Sequence, residues 1–406
     1  MKKTFIVALL LVIIGGLIGY HFNTDGGDIA VSDIRIVGKD GKILSALLYV
    51  PSNATNETPA PAVVGMHGYV NSRETQDAFA IEFARRGYVF LALDMTGHGN
   101  SDQIIGDSTR GFDDAIGYIR NLSFVDRENV ALEGHSMGGM SVCNALVRNE
   151  DKVKAAVIVS SSYGLLGGDK ITSDTKANFA VVFGVRDEFG PWMWEVPHPR
   201  ELGTSAKLKS LFNKTGDEVV LGKVYGSFAD KTARQWLMPN TTHAGAHFDK
   251  EAIGDTIQFV EAAMAPPRKL DLRDQIWPGK EFGNGLILMG LLVFMAAMAS
   301  WLIQLPYFKC LIQPMPVNNA AMNTKDWWMG ALVGTVISGA TLFEFQNILL
   351  WKSFAFFTQN ITNAILCWAL LNALIGVALF VLWYYVIDKS KNIVPKSANN
   401  VTKGGI

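Results

Sequence analysis

Val130-Ala131-Leu132-Glu133-Gly134-His135-Ser136-Met137-Gly138-Gly139 is the stretch that decides how this chain is read. An apolar run ends at Leu132, glycines bracket Ser136, and a helix-forming stretch runs from Met137 to Asn149. That composition predicts a strand, a sharp turn and a helix. Glycines relieve the crowding around a residue held in a strained backbone, and the turn lifts the serine hydroxyl above the end of the strand. The helix then aims its unpartnered N-terminal N–H groups toward the same spot. Ser136 is therefore the candidate nucleophile.

The pattern extends outward from there. Short strand-like runs occur at Ile34–Val37, Leu44–Val50, Ala62–Met66, Val89–Leu93, Val130–Leu132, Ala155–Val159, Ala180–Phe183 and Arg234–Met238. Helical stretches lie at Ser72–Arg86, Phe112–Asn121, Met137–Asn149 and Lys250–Ala263. Strands alternating with amphipathic helices predict an α/β domain over residues 29–265, a mostly parallel eight-stranded sheet with helices on both faces. Gly38-Lys39-Asp40-Gly41 predicts that the first two strands form an antiparallel hairpin. Residues 189–228 interrupt the rhythm with Pro191, Pro197, Pro199 and Trp192-Met193-Trp194, and read as an excursion covering the site.

Composition adds a second layer. Of 406 residues, 49% are hydrophobic and 18% charged, which is too apolar for an ordinary soluble chain. A net charge of -1 gives no electrostatic footprint for nucleic acid. Cys143, Cys310 and Cys367 are far apart and match no metal spacing. Lys2 and Lys3 precede an apolar run, so residues 1–24 read as an uncleaved anchor, with a cleaved signal as the alternative. Residues 266–285 read as a polar linker. Three further segments within 286–387, namely Leu286–Leu305, Trp327–Trp351 and Ile361–Ile387, each reach the roughly 20 residues a bilayer crossing needs. Lys2 and Lys3, Lys309 and Lys325, and the lysines of the 388–406 tail then fall on the cytoplasmic side after four crossings, which leaves the α/β domain outside. Sequons at Asn53, Asn56, Asn213 and Asn240 matter only in that setting.

His67-Gly68-Tyr69, Asp94-Met95-Thr96-Gly97-His98-Gly99-Asn100-Ser101 and Gly134-His135-Ser136-Met137-Gly138-Gly139 make this region resemble the α/β-hydrolase superfamily, above all its monoacylglycerol-lipase and serine-aminopeptidase-like branch. The resemblance covers about Ile29 to Ala265 and leaves out the apolar segments. It implies a Ser…Asp…His order, hydrolysis through an acyl-enzyme, and no cofactor or metal. After the strand Ala180–Phe183, Asp187 fits the acid, with Glu188 beside it. His243 is the preferred base and His247 the alternative, since both follow the last strand. The backbone N–H groups of Met137 and Tyr69 would form the oxyanion hole.

Other polar residues read as structural. Asp94, His98 and Ser101 shape a loop. His67 and His135 flank turns. Glu344 lies in an apolar segment near its outer end, where it can reach the interface. The expected function is a membrane-anchored serine hydrolase acting on small-molecule esters, lipid-derived ones among them, with the bilayer as neighbour and no nucleic-acid partner. Two alternatives stand beside it. One is an aminopeptidase-like amidase, for which Glu188 and Glu195 are candidates to hold the substrate amine. The other is a non-catalytic ligand-binding or sensory module on a membrane bundle. Oligomeric state is left open.

Overall fold

The computed structural model describes residues 2–38, 41–103, 106–166, 168–169, 171–312, 325–349, 360–383 and 385. Eight strands form one sheet: β1 (Ile29–Val37), β2 (Ile43–Pro51), β3 (Ala60–Met66), β4 (Val89–Leu93), β5 (Val125–His135), β6 (Ala155–Val159), β7 (Asn178–Val182) and β8 (Arg234–Leu237). Their spatial order is β1-β2-β4-β3-β5-β6-β7-β8. β1 pairs antiparallel with β2, and β2 antiparallel with β4; every other neighbour is parallel. The central strands β4, β6 and β7 are buried along their whole length. Helices cover both of their faces, so they read as unbroken apolar runs rather than as alternating ones.

Among the described residues, ten α-helices accompany the sheet: α1 (Lys2–Asn23), α2 (Asp77–Arg85), α3 (Phe112–Arg120), α4 (Met137–Arg148), α5 (Gly190–Trp194), α6 (Ala206–Leu211), α7 (Lys250–Ala263), α8 (Trp277–Leu302), α9 (Lys325–Leu349) and α10 (Asn360–Trp383). Successive strand residues point to opposite faces, and the core divides accordingly. Val64, Leu91, Leu132 and Ile158 pack with Phe112 and Ile116 of α3 and Val142 of α4. Val63, Phe90, Ala131 and Val157 pack with Phe79 and Phe83 of α2 and Ile253 and Ile257 of α7.

The chain divides into two compact units, residues 17–284 and residues 1–16 with 285–406. In the second, the Phe5 and Phe294 rings meet at 5.7 Å. α9 packs on α10 through a polar node there. The Asn372 amide donates to the Thr341 hydroxyl at 3.1 Å, the Ser338 hydroxyl donates to the Asn372 side-chain oxygen at 3.0 Å, and the Trp368 indole N–H donates to Thr341 at 3.2 Å. Glu344, one turn further along α9, is exposed.

Three helices among the described residues are long and apolar enough to cross a membrane: Lys2–Asn23, Trp277–Leu302 and Thr362–Leu382. The fourth expected segment is the 25-residue α9, which is not one of these three. Trp351 and the 388–406 tail lie outside the described residues.

Several boundaries differ from the sequence reading. The expected helix over 72–86 begins as a 3-10 turn, Arg73–Gln76, before α2. The expected linker over 266–285 is helical from Trp277. Pro278 sits in the first turn of α8, where its missing N–H costs nothing, and Lys280 pairs with Asp77 of α2. The stretch before α8 is fastened to the domain as well. Arg86 donates to the Asp271 carbonyl at 2.8 Å, and the Glu82 carboxylate accepts the Ile276 and Trp277 N–H groups at 2.6 and 3.1 Å.

Candidate active site

β5 ends at His135 and α4 begins at Met137, so Ser136 alone forms the turn. Its backbone sits at φ 53°, ψ -116°, a conformation that costs about 1–3 kcal/mol and persists only where the surroundings enforce it. The flanking glycines enforce it through close packing. A Cβ on Gly138 would stand 2.2 Å from the Met66 carbonyl oxygen, and one on Gly134 would stand 2.5 Å from the Gly138 carbonyl carbon. The first turn of α4 can therefore press against the end of β3 only if both positions lack a side chain.

Three side chains from three loops meet at this turn. His243, after β8, places Nε2 2.9 Å from Ser136 Oγ. Its Nδ1 lies 3.0 and 3.1 Å from the two carboxylate oxygens of Asp187, after β7. An ionised carboxylate only accepts, so the ring proton sits on Nδ1 and Nε2 presents its lone pair to the serine hydroxyl. Asp187 is buried and also accepts the Phe189 N–H at 3.0 Å. Its neighbour Glu188 is exposed.

The structure brings His243 to Ser136 and sets His247 behind it. His247 is buried, and its ring lies 3.9 Å from that of His135. Burial, reinforced by His67 and His243, lowers its pKa to about 3. His135 proves to be more than a turn residue. Its Nε2–H donates to the backbone carbonyl of His243 at 2.8 Å, so the residue beside the serine also fixes the histidine loop. Nothing in the periodicity of the sequence marks that role.

Met137 is the first residue of α4, so its N–H has no intrahelical acceptor. The loop after β3 passes over Ser136 closely: a Cβ on Gly68 would lie 3.1 Å from the Ser136 Cβ. Tyr69 follows at once and is partly exposed. His67 holds this loop by donating from Nδ1 to the Gly68 carbonyl at 2.7 Å and accepting the Met95 N–H at Nε2 at 3.0 Å. The Asp94 carboxylate takes the Arg73 and Asn100 N–H groups, and Ser101 donates to the Asp94 carbonyl. Asp94, His98 and Ser101 are buried in that loop, and none of them lines the cleft.

Ser136 opens into a cleft of about 370 Å³. It is lined by Asn71, just before the 3-10 turn, by Thr75 within that turn, and by Phe189, Ala244 and Phe248. None of these five stood among the sequence candidates. Phe189 packs its ring on His243 at 4.4 Å. Of the excursion over 189–228, Phe189 alone lines the cleft. Met193 and Trp194 are core residues, whereas Trp192 is 48% exposed. Among the described lining residues there is no carboxylate, and Glu195 is exposed outside the cleft.

Comparison with known proteins finds likenesses to parts of this chain. A family model described as serine aminopeptidase, S33, matches residues 57–198. A candidate non-heme haloperoxidase of Mycobacterium phage D29 is 29% identical over 123 residues, 29% of this chain and 42% of that protein. The multifunctional-autoprocessing repeats-in-toxin protein of Vibrio cholerae serotype O1 is 30% identical over 114 residues, 26% of this chain and 2% of that protein. The chain thus spans less than half the length of these curated relatives. An esterase of Pyrococcus furiosus superposes with a TM-score of 0.41 at 16% identity, covering 59% of this chain and 93% of that one. The sheet order and the serine turn after β5 are those of an α/β-hydrolase fold, residues 57–198 are similar to the serine aminopeptidase, S33, family, and apolar helices lie on both sides of that domain.

Proposed function

We propose that the chain is a membrane-anchored serine hydrolase that cleaves carboxylic esters, with Ser136 as nucleophile, His243 as base and Asp187 as the acid that orients it. The observation that carries this reading is the unbroken hydrogen-bonded line from Asp187 through His243 to Ser136 Oγ, opening into a cleft. As Oγ attacks the ester carbonyl, His243 Nε2 takes its proton, and the Asp187 carboxylate stabilises the imidazolium that forms. The oxyanion is met by the N–H groups of Met137 and Tyr69. His243 returns the proton to the leaving alkoxide. Water then cleaves the acyl-enzyme, with His243 again as base. No cofactor or metal enters the scheme.

An aminopeptidase-like amidase uses the same machinery but must also hold a substrate ammonium. The absence of carboxylates among the described cleft residues favours the ester reading. We further propose that α1, α8 and α10, together with α9, cross the bilayer and leave the hydrolase domain outside the cytoplasm, with lipid-derived esters as accessible substrates.

The test is labelling by a fluorophosphonate probe in wild type and Ser136→Ala, followed by turnover of p-nitrophenyl acyl esters against aminoacyl anilides. Labelling of wild type alone, with esters as the faster substrates, is expected. Equal labelling of both proteins would instead make the domain a non-catalytic module, and faster anilide turnover would make it an amidase.

A further inference from the structure

α8 is more than a tether. Its first residue, Trp277, is 7% exposed, and its ring packs on that of Phe248 at 6.4 Å. Phe248 lines the cleft beside Ser136 and is 53% exposed. The Trp277 ring is itself held in place: its indole N–H donates to the Gln275 side chain at 2.8 Å, and Gln275 donates to the carbonyls of Lys250 and Leu272. Its backbone N–H is fixed by buried Glu82, whose charge is met by Arg85 and Arg86. One turn on, Lys280 pairs with Asp77, which also accepts from the Tyr49 hydroxyl at 2.6 Å. Asp77 directly follows the 3-10 turn that carries Thr75, another residue of the cleft lining. The first turn of α8 therefore touches two segments that contribute to the cleft.

We propose that this turn determines specificity, with Trp277 as a positioning residue that holds Phe248 as an aromatic wall for the apolar chain of the substrate. This rests on the serine-hydrolase reading above and adds a substrate class to it, esters whose acyl chain is long enough to reach Phe248. An acetyl-sized group reacts at Ser136 without meeting that wall. A longer chain lies along it, and loses the aromatic contact when the ring beneath is removed.

The experiment compares the rate of Ser136 labelling by two fluorophosphonates, one with an ethyl and one with a dodecyl chain, on the full-length protein in phospholipid vesicles. Trp277→Ala should slow the dodecyl probe about tenfold and leave the ethyl probe unchanged, and Trp277→Phe should restore the dodecyl rate. Phe248→Ala alters an exposed side chain and should lower the ratio of dodecyl to ethyl rates by a similar factor even if Trp277→Ala folds poorly. Equal slowing of both probes by Phe248→Ala, or no slowing of either, overturns the proposal while leaving Ser136 as nucleophile. A wild type that neither probe labels overturns the functional reading along with it.

Discussion

At Ser136 a single residue carries the turn between strand and helix, and the positions around it have little freedom. Asp187 is the residue whose role separates geometry from chemistry. Asp187→Asn keeps the size of the side chain but can donate to Nδ1, which favours the tautomer with the proton facing Ser136. Turnover should fall by about 10⁴-fold, with the thermal midpoint close to wild type. Steady-state kinetics beside a melting curve check this; a fall in both would mean that Asp187 acts through folding. Ser136, Asp187 and the His243/His247 pair were legible in the sequence because each follows a strand in fixed order. The sequence prefers His243 over His247 on loop context alone, and the three residues between them, Ala244 to Ala246, decide which ring faces the serine. Asn71, Thr75 and Phe248 could not be found, because they meet Ser136 only through the folding of separate loops.

Among the elements, the eight strands were readable because their apolar runs are bounded by turn residues. β5 was the least complete of them. Its polar start, Asp126 to Asn129, hid an extended segment that pairs Val125 with Ala60. The start of α8 was hidden for a different reason. Pro278, Gly279 and Lys280 look like linker, yet the partner of Lys280, Asp77, lies 203 positions away in α2. The buried cluster of Glu82, Arg85 and Arg86 is the main fastening there. Glu82→Ala removes the buried carboxylate that Arg85 and Arg86 share and leaves the N–H groups of Ile276 and Trp277 without their acceptor, and should lower unfolding free energy by about 3–5 kcal/mol in denaturant titration. An unchanged midpoint would show that water replaces the carboxylate without loss. Between α9 and α10, hydrogen bonds of the kind made by Asn372 hold apolar helices together where the hydrophobic effect does not.

For the whole molecule, buried histidines and buried carboxyls pull the response to pH in opposite directions. Burial lowers the pKa of His67 and His247 to about 3 and of His98 to about 4, and holds His135 well below its ordinary value. The unfolded chain protonates these rings near pH 6.5, whereas the folded one does not until pH 3 to 4. The unfolded state thus binds more protons across that window, and stability falls as pH drops below about 6.5, by up to about 1.4 kcal/mol per pH unit for each ring. Asp255 opposes this. Burial, with Glu251 and Asp249 nearby, raises its pKa to about 7, so it destabilises the fold as pH rises from 4 to 7. Asp77, Asp94, Glu133 and Glu261 are raised by burial as well and act in the same sense as Asp255. The imidazole share is read by substitution: between pH 7.5 and pH 5 the thermal midpoint of His98→Asn should fall less, or rise more, than that of wild type, and an identical pH response would contradict this. Sidedness is open to an equally direct check. A cysteine placed at exposed Glu57 should react with a membrane-impermeant maleimide in intact cells, whereas the exposed native Cys310 should react only after permeabilisation. The reverse pattern would invert the proposed topology.

The fastening of α8 to α2 also bears on how the protein is made. Arg85 and Arg86 are buried early in the chain, yet they bond to Asp271 and Asp274, and Glu82 waits for the N–H groups of 276 and 277. A nascent chain that has emerged only as far as residue 260 has strands enough for the sheet but cannot complete this charge cluster. The α/β domain closes only once the root of α8 has been synthesised, so its final folding step waits on the first turn of a helix that is long and apolar enough to cross a membrane.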